Sequence, residues 1–302
     1  MIELLVGMVI AALIITPMLG FVVNVLNSDV REQAKTNSEQ ELQAAIDYIA
    51  QDMSQAIYVY DDVTDIEAQL PHSGDANKEP ILAFWKREYV ENALDPSGGI
   101  CENPDTDSCN DTFVLSLVAY YEITETDNSS IWCQPSGGTC PKRIARFQIQ
   151  DGVTDLSGNY VCQDDPSDDG RNETVCSTDA KKKFMRDLGF NDYQNNPTEW
   201  TKKSDETYSN DVITLVNYIE GFNLDNPLVD TDDDGTADTP LIEASGYKFA
   251  KIEVVGNALR RSQNDFSCED TPATATTPAT YKNDPYCPKA TAQVGARSGF
   301  GE

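Results

Sequence analysis

The chain opens on MIELLVGMVIAALIITPMLGFVVNVL. Residues 4–23 carry no charge, and only Gly7, Thr16, Pro17 and Gly20 interrupt the apolar run. Twenty such residues form a helix of roughly 30 Å, the thickness of a bilayer core. After Leu26 the composition turns polar but the helical period persists. Leu42, Ile46, Ile49, Met53 and Ile57 recur at spacings of three and four, and Ala45 and Ala56 widen the stripe. Glu41, Asp47, Gln51 and Asp52 fall largely off it. No stop signal separates the two halves, so the pattern predicts one rod from the N-terminus to about Tyr58. Its length is on the order of 85 Å, and Pro17 and Gly20 are the places where it can bend or melt.

Past the rod, apolar positions come in short β-branched and aromatic runs at 81–85, 113–123, 144–149, 212–218 and 247–255. In 113–123, Leu115, Leu117, Ala119 and Tyr121 alternate with Val114, Ser116, Val118 and Tyr120, which predicts a strand buried on both faces or central in its sheet. Phe147 and Ile149 alternate with Arg146, Gln148 and Gln150, which predicts a half-exposed strand. Helix-length amphipathic segments are missing between most of these runs, so the sheet is expected to be antiparallel. The fold class is α+β: one long N-terminal helix packed on an antiparallel sheet with long polar loops. The organisation reads as an apolar half-helix (1–26), an amphipathic half-helix (27–60) and a β-rich head (61–302). The tail after Ala290 is small, polar and expected to be loose or to cap the sheet. The Thr/Pro/Ala tract 271–280 reads as a flexible loop or a glycosylated one.

Charge and cysteine content narrow the setting. Of 302 residues, 22 are Lys or Arg and 51 are Asp or Glu, a formal net charge of −29 that repels phosphate backbones and argues against a nucleic-acid partner. Eight cysteines fall into four close couples, Cys101 and Cys109, Cys133 and Cys140, Cys162 and Cys176, Cys268 and Cys287. Each couple lies in turn-forming sequence. Thiolate metal sites are the alternative, but the spacings match no zinc knuckle or ribbon. Proximity favours the sequential disulfide pairing among the 105 that eight cysteines allow. Four disulfides imply an oxidising compartment, so the head is expected to be exported.

One stretch has the order of a ligand loop. Asp230, Asp232 and Asp234 stand at positions 1, 3 and 5, Gly235 gives the sharp turn at 6, Thr236 offers its carbonyl at 7, and Asp238 stands at 9. Alternating carboxylates that wrap a hard cation make calcium the expected cofactor. Position 12 is Leu241 rather than a bidentate Glu, which places the loop with the shorter extracellular calcium motifs. An acidic solvated turn is the plainer alternative. The cluster Asp164, Asp165, Asp168 and Asp169 lacks the alternation and reads as a solvated loop, as do Asp105 and Asp107.

Catalytic motifs are missing: there is no G-x-S-x-G, H-E-x-x-H, phosphate-binding loop or dinucleotide fingerprint. The single histidine, His72, lies in a Pro/Ser/Gly/Asp loop and reads as exposed. Trp85, Trp132 and Trp200, in separate segments, read as core or loop anchors rather than a sugar platform. No enzyme is expected.

The string Ile2-Glu3-Leu4-Leu5-Val6, the apolar helix and its long amphipathic extension resemble the N-terminal signal of type IV pilins and pseudopilins. The stretch 42–60, with Ile46-Asp47-Tyr48-Ile49 and Gln55-Ala56-Ile57, is most similar to large minor pilins of the PilW-like group. Size and acidic, disulfide-rich character also resemble cyanobacterial pseudopilins of hormogonium polysaccharide secretion. The family's leader, its Gly and the Phe-Thr pair do not precede Ile2, and Met1 stands where the family has Leu, so a leader is expected upstream of Met1. The resemblance implies a pilin fold and prepilin peptidase processing. It also implies storage in the inner membrane, then assembly with other pilin subunits into a periplasmic or cell-surface filament. Glu3 is the implied assembly residue, neutralising a neighbouring subunit's N-terminal amine. The alternative is a membrane-anchored, calcium-binding adhesin that never polymerises.

Overall fold

The computed structural model describes residues 2–60, 62–105, 108–165, 167, 169–193, 197–225, 247–272 and 279–297. Helix α1 spans Ile2–Ser54, 53 residues, about 80 Å at 1.5 Å per residue. It runs unbroken through Pro17 and Gly20, so neither of the two expected weak points interrupts it. Pro17 brings no amide donor to this turn, and the neighbouring Thr16 Oγ1 donates to the Ala12 carbonyl at 2.8 Å. The first buried position is Ala34. Ser38, Leu42, Ala45, Ile46, Ile49, Asp52 and Met53 follow at spacings that keep one face inward.

The helix stops four residues short of the expected end. The Gln55 amide donates to the Asp52 carbonyl, and Ala56–Val59 leaves as a strand, β1. Ile57, the fifth member of the predicted helical stripe, therefore lies on a strand. Ile57, Tyr58 and Val59 are β-branched or aromatic, and pairing with the next strand outweighs the helical period.

A four-residue helix, α2 (Thr64–Glu67), leads to β2 (Lys78–Leu94). Strands β3 (Asn110–Thr124), β4 (Lys142–Gln150), β5 (Ile213–Asp225) and β6 (Tyr247–Gly256) follow, with a single turn of helix, α3 (Asp179–Lys182), between β4 and β5. Two short strands, β7 (Glu269–Thr271) and β8 (Thr280–Tyr281), form a separate pair. The last strand is β9 (Lys289–Arg297). The main sheet has the order β1-β2-β3-β4-β5-β6-β9 and every neighbour is antiparallel. Its two edges, β1 and β9, come close to each other, so the sheet curls about the second half of α1. The tail expected to be loose or to cap the sheet joins it as β9, paired with β6 from Tyr247↔Arg297 to Val255↔Lys289 and packed on α1.

Alternation along the strands sorts two cores. Leu82, Phe84, Val118, Tyr120, Ile144, Val216, Ile252 and Val254 face α1 and close on Leu42, Ile46, Ile49 and Met53. Burying those four helix side chains contributes about 1.5–3 kcal/mol each. Ala83, Trp85, Leu117, Ala119, Tyr121, Phe147 and Ile149 form the outer face, covered by Tyr60, Phe190 and Trp200. The strand predicted to be buried on both faces, β3, is so: Leu117 through Tyr121 are fully buried. Trp85 Nε1 donates to Tyr60 Oη at 2.9 Å, and that hydroxyl donates to the Pro197 carbonyl at 2.5 Å. This satisfies the polar tips inside an aromatic layer.

Candidate assembly and anchoring surface

The apolar half of α1 is left uncovered. Met8, Leu13 and Phe21 are each at least 70% exposed, and none of the described residues packs on this stretch. The helix is long and apolar enough to cross a membrane. Soluble monomers rarely leave contiguous apolar patches larger than about 300–600 Å² open to water. Glu3 lies exposed in the first turn, where a carboxylate complements the positive end of the helix dipole. The next charged residue is Asp29.

The other half of α1 is clamped to the head. Asp52, in the last helical turn, is buried and accepts from Arg146 Nε and Tyr120 Oη, both at 2.8 Å, while Lys86 Nζ stands 2.8 Å from its other oxygen. Burial pushes this carboxyl up, but the two cations outweigh that and hold it below the usual aspartate range. Lys86 also pairs with Glu88 at 2.7 Å, which in turn accepts from Gln148. Lower on the helix, Arg261 pairs with Glu41, and Tyr286 Oη reaches Glu32 at 3.5 Å. Gly256 lets the end of β6 approach closely, since a Cβ there would stand 2.6 Å from Leu42 Cδ1. Sequence periodicity placed Asp52 off the buried stripe; the structure puts it inside. Its partners lie 34 and 94 residues away, so no local pattern announces them.

The four disulfides join Cys101 to Cys109, Cys133 to Cys140, Cys162 to Cys176 and Cys268 to Cys287, the sequential pairing expected from proximity. A residue that sequence reading missed supports one of these loops. Arg260 is buried, and its guanidinium donates to the carbonyls of Thr139 and Pro135 at 3.0 Å and of Gly137 at 3.3 Å. A lone Arg in an Ala-Leu-Arg-Arg run carries no mark of such a role.

The calcium-loop residues Asp230, Asp232, Asp234, Thr236 and Asp238 lie outside the described residues. Among the described residues no group of three or more His, Cys, Asp or Glu side chains is arranged to hold a metal ion. In the second acidic cluster Asp169 is not a solvated bystander: it pairs with Arg186 at 2.5 Å and with Lys203. His72, expected to be exposed, is partly covered, with Nε2 3.1 Å from Asp211 Oδ1 and Lys78 Nζ 3.2 Å from Nδ1. Trp85 and Trp200 are core residues and Trp132 lies under the Arg143 guanidinium.

No family model, curated protein or solved structure matches the chain. The geometry alone therefore defines the class: an α+β, disulfide-bonded head mounted on a membrane-compatible apolar helix.

Proposed function

We propose that the chain is a minor pilin or pseudopilin, a structural subunit of a type IV pilus or a related secretion filament. One observation carries this reading. A single unbroken helix is fully exposed and apolar over its first half and forms the spine of a curled sheet over its second. A simple anchor does not need to be continuous with the core of its head. A subunit drawn out of a bilayer into a bundle does, because the extracting force passes along the helix. The resemblance of residues 2–6 to the family signal supports the same reading. Before assembly the inner membrane covers the apolar half; afterwards the apolar halves of neighbouring subunits do.

Glu3 is the assembly residue in this reading. Inside a bundle of apolar helices its carboxylate pairs with a neighbour's terminal amine, and removing one partner of a buried pair costs about 3–5 kcal/mol. Glu3→Leu is expected to insert in the membrane and fold its head normally, yet to be missing from sheared filaments. Its recovery in filaments at the wild-type level would overturn the assignment. If filaments never contain the wild-type chain, the reading of a non-polymerising anchored adhesin takes its place. Calcium at 230–238 belongs to the same proposal, as a brace for the long β5–β6 connection in an exported head. That ligand set rests on the spacing of its carboxylates.

A further inference from the structure

Beyond the end of β4 the chain leaves through Asp151 and Gly152 into the segment that covers the outer face of the sheet. Tyr160 pins this layer. Its ring lies against the backbone of two glycines from different segments: a Cβ on Gly152 would stand 2.9 Å from Tyr160 Cδ1, and one on Gly170 would stand 2.6 Å away. Gly170 belongs to the loop closed by Cys162 and Cys176, and its positive φ of 83° suits a residue without a Cβ. Its carbonyl accepts from the Arg186 amide at 3.0 Å, and the Val153 amide donates to the Phe184 carbonyl at 2.9 Å. The segment therefore folds back on the end of β4 around one aromatic ring.

The hydroxyl of that ring faces two carboxylates. Tyr160 Oη lies 3.0 Å from Asp151 Oδ1 and 3.3 Å from Asp192 Oδ1. A phenol carries one hydrogen, so both contacts are hydrogen bonds only if one of the carboxyls brings a second. We infer that Asp151, Tyr160 and Asp192 form a shared-proton latch, one proton between two carboxylates, that closes the layer between Gly152 and Asp192 onto the end of β4. In the closed state the phenol donates to one carboxyl and accepts from the other. With both carboxylates ionised, one contact sets lone pair against lone pair.

The surroundings favour Asp151 as the holder of the proton. Burial pushes its carboxyl up to about 6, against the pull of the Gly152 amide, the Tyr160 hydroxyl and Arg186, while Asp192 is exposed. Arg186, the cation facing both Asp151 and Tyr160, is already held by Asp169 at 2.5 Å and approached by Glu206 at 3.6 Å. Lys203 bridges the same two acids, and Arg171 is spent on the Arg186 carbonyl and Glu173. Asp187 is occupied by the Gln150 amide and Asn210. Among the described residues each of these cations already faces another acid or a carbonyl, and Arg186, whose Nε has no hydrogen-bond partner, makes no hydrogen bond to either carboxylate at the phenol.

A carboxyl raised in the folded state contributes stability that is present at low pH and is lost as pH rises through its folded value. The latch is thus tightest in acid and weaker at neutral pH and above, a local response in a head whose disulfides place it outside the reducing interior. It concerns the head alone and stands whether or not the chain polymerises.

The test is hydrogen exchange on the full chain in detergent micelles, following the Gly152, Val153 and Arg186 amides at about pH 5 and 7.5, corrected for intrinsic rates. Wild-type protection is expected to fall about tenfold across that interval, the change a single carboxyl raised to about 6 produces. Asp151→Asn removes the titration. Asp192→Asn, at an exposed position that leaves folding intact, supplies an amide donor to the phenol at every pH. Asp151→Asn is expected to hold protection constant within about twofold, and Asp192→Asn to fall clearly less than wild type, since the burial that raises Asp151 remains while the second carboxylate is gone. A wild type that does not respond overturns the latch. So does an Asp192→Asn variant that falls as wild type does, because a buried carboxyl acting alone would behave that way.

Discussion

Asp52 sits where a carboxylate should be unwelcome, in the last turn of a helix whose C-terminal dipole repels it and with its side chain only 6% exposed. Two cations and a phenol from three different strands make the position tenable. Together they tie the end of α1 to β2, β3 and β4 at once. Replacing Asp52 by Ala leaves the buried Lys86 and the half-buried Arg146 without their common partner, although Lys86 keeps Glu88. The expected loss is about 3–5 kcal/mol of unfolding free energy in urea at neutral pH. A loss below about 1 kcal/mol would mean that the helix is held by its apolar face alone. The depressed carboxyl gives the pH sign. This contribution is present above the ordinary aspartate range and is lost as pH falls through the lowered value. It therefore runs opposite to the Asp151 latch. Neither residue was legible beforehand. A lone Asp on the border of a stripe and a lone Asp after a strand acquire their chemistry from partners that only the tertiary fold brings near.

Elements were legible where one period dominated. The helix, the strand buried on both faces and the cysteine couples all follow from local spacing, because the forces behind them act over a few residues. The failures share another cause. Residues 56–59 continue the three-and-four spacing yet pair as an edge strand with Trp85 and its neighbours. The tail 289–297 has almost no large apolar residue, yet it pairs along β6 and covers α1. Strand β2 runs nine residues past its apolar run, through Lys86 and Glu88, whose charges are paired inside the molecule. In each case backbone pairing with a distant strand supplied what side-chain pattern did not. The β5–β6 connection poses the converse problem, a strong local pattern with little apolar content. The strands that lead into it are paired as far as Asp225↔Lys251. If calcium braces it, EGTA should lower the melting temperature by a few degrees. Ligand at ten times its Kd contributes about 1.4 kcal/mol. Asp232→Ala with Asp234→Ala should melt at the chelated value whether or not calcium is added. Equal melting of wild type with calcium and with EGTA would remove the cation from the account.

At the scale of the whole molecule two parts ask for opposite surroundings. The head, residues 61–302, carries −24 of a net charge of −29, and such heads repel one another over a distance that salt shortens, with a Debye length of about 8 Å at physiological ionic strength. The first half of α1 carries Glu3 as its one charge before Asp29 and exposes mostly apolar surface. If the chain associates as proposed, the apolar surface for it lies on the helix, and the head supplies charge repulsion. The division is clean enough to cut. Among the described side chains none before Ala34 is buried, and the clamps on α1 begin at Glu32. A chain lacking residues 2–28 should consequently keep its disulfides, its two cores and its melting temperature within about 2 °C of the full chain. It should also run as a monomer without detergent. Added salt should not drive that head to assemble, since screening weakens repulsion without supplying an apolar face. A truncated head that unfolds, or one that self-associates, would show that the apolar half contributes to the fold or that the head holds an association surface of its own.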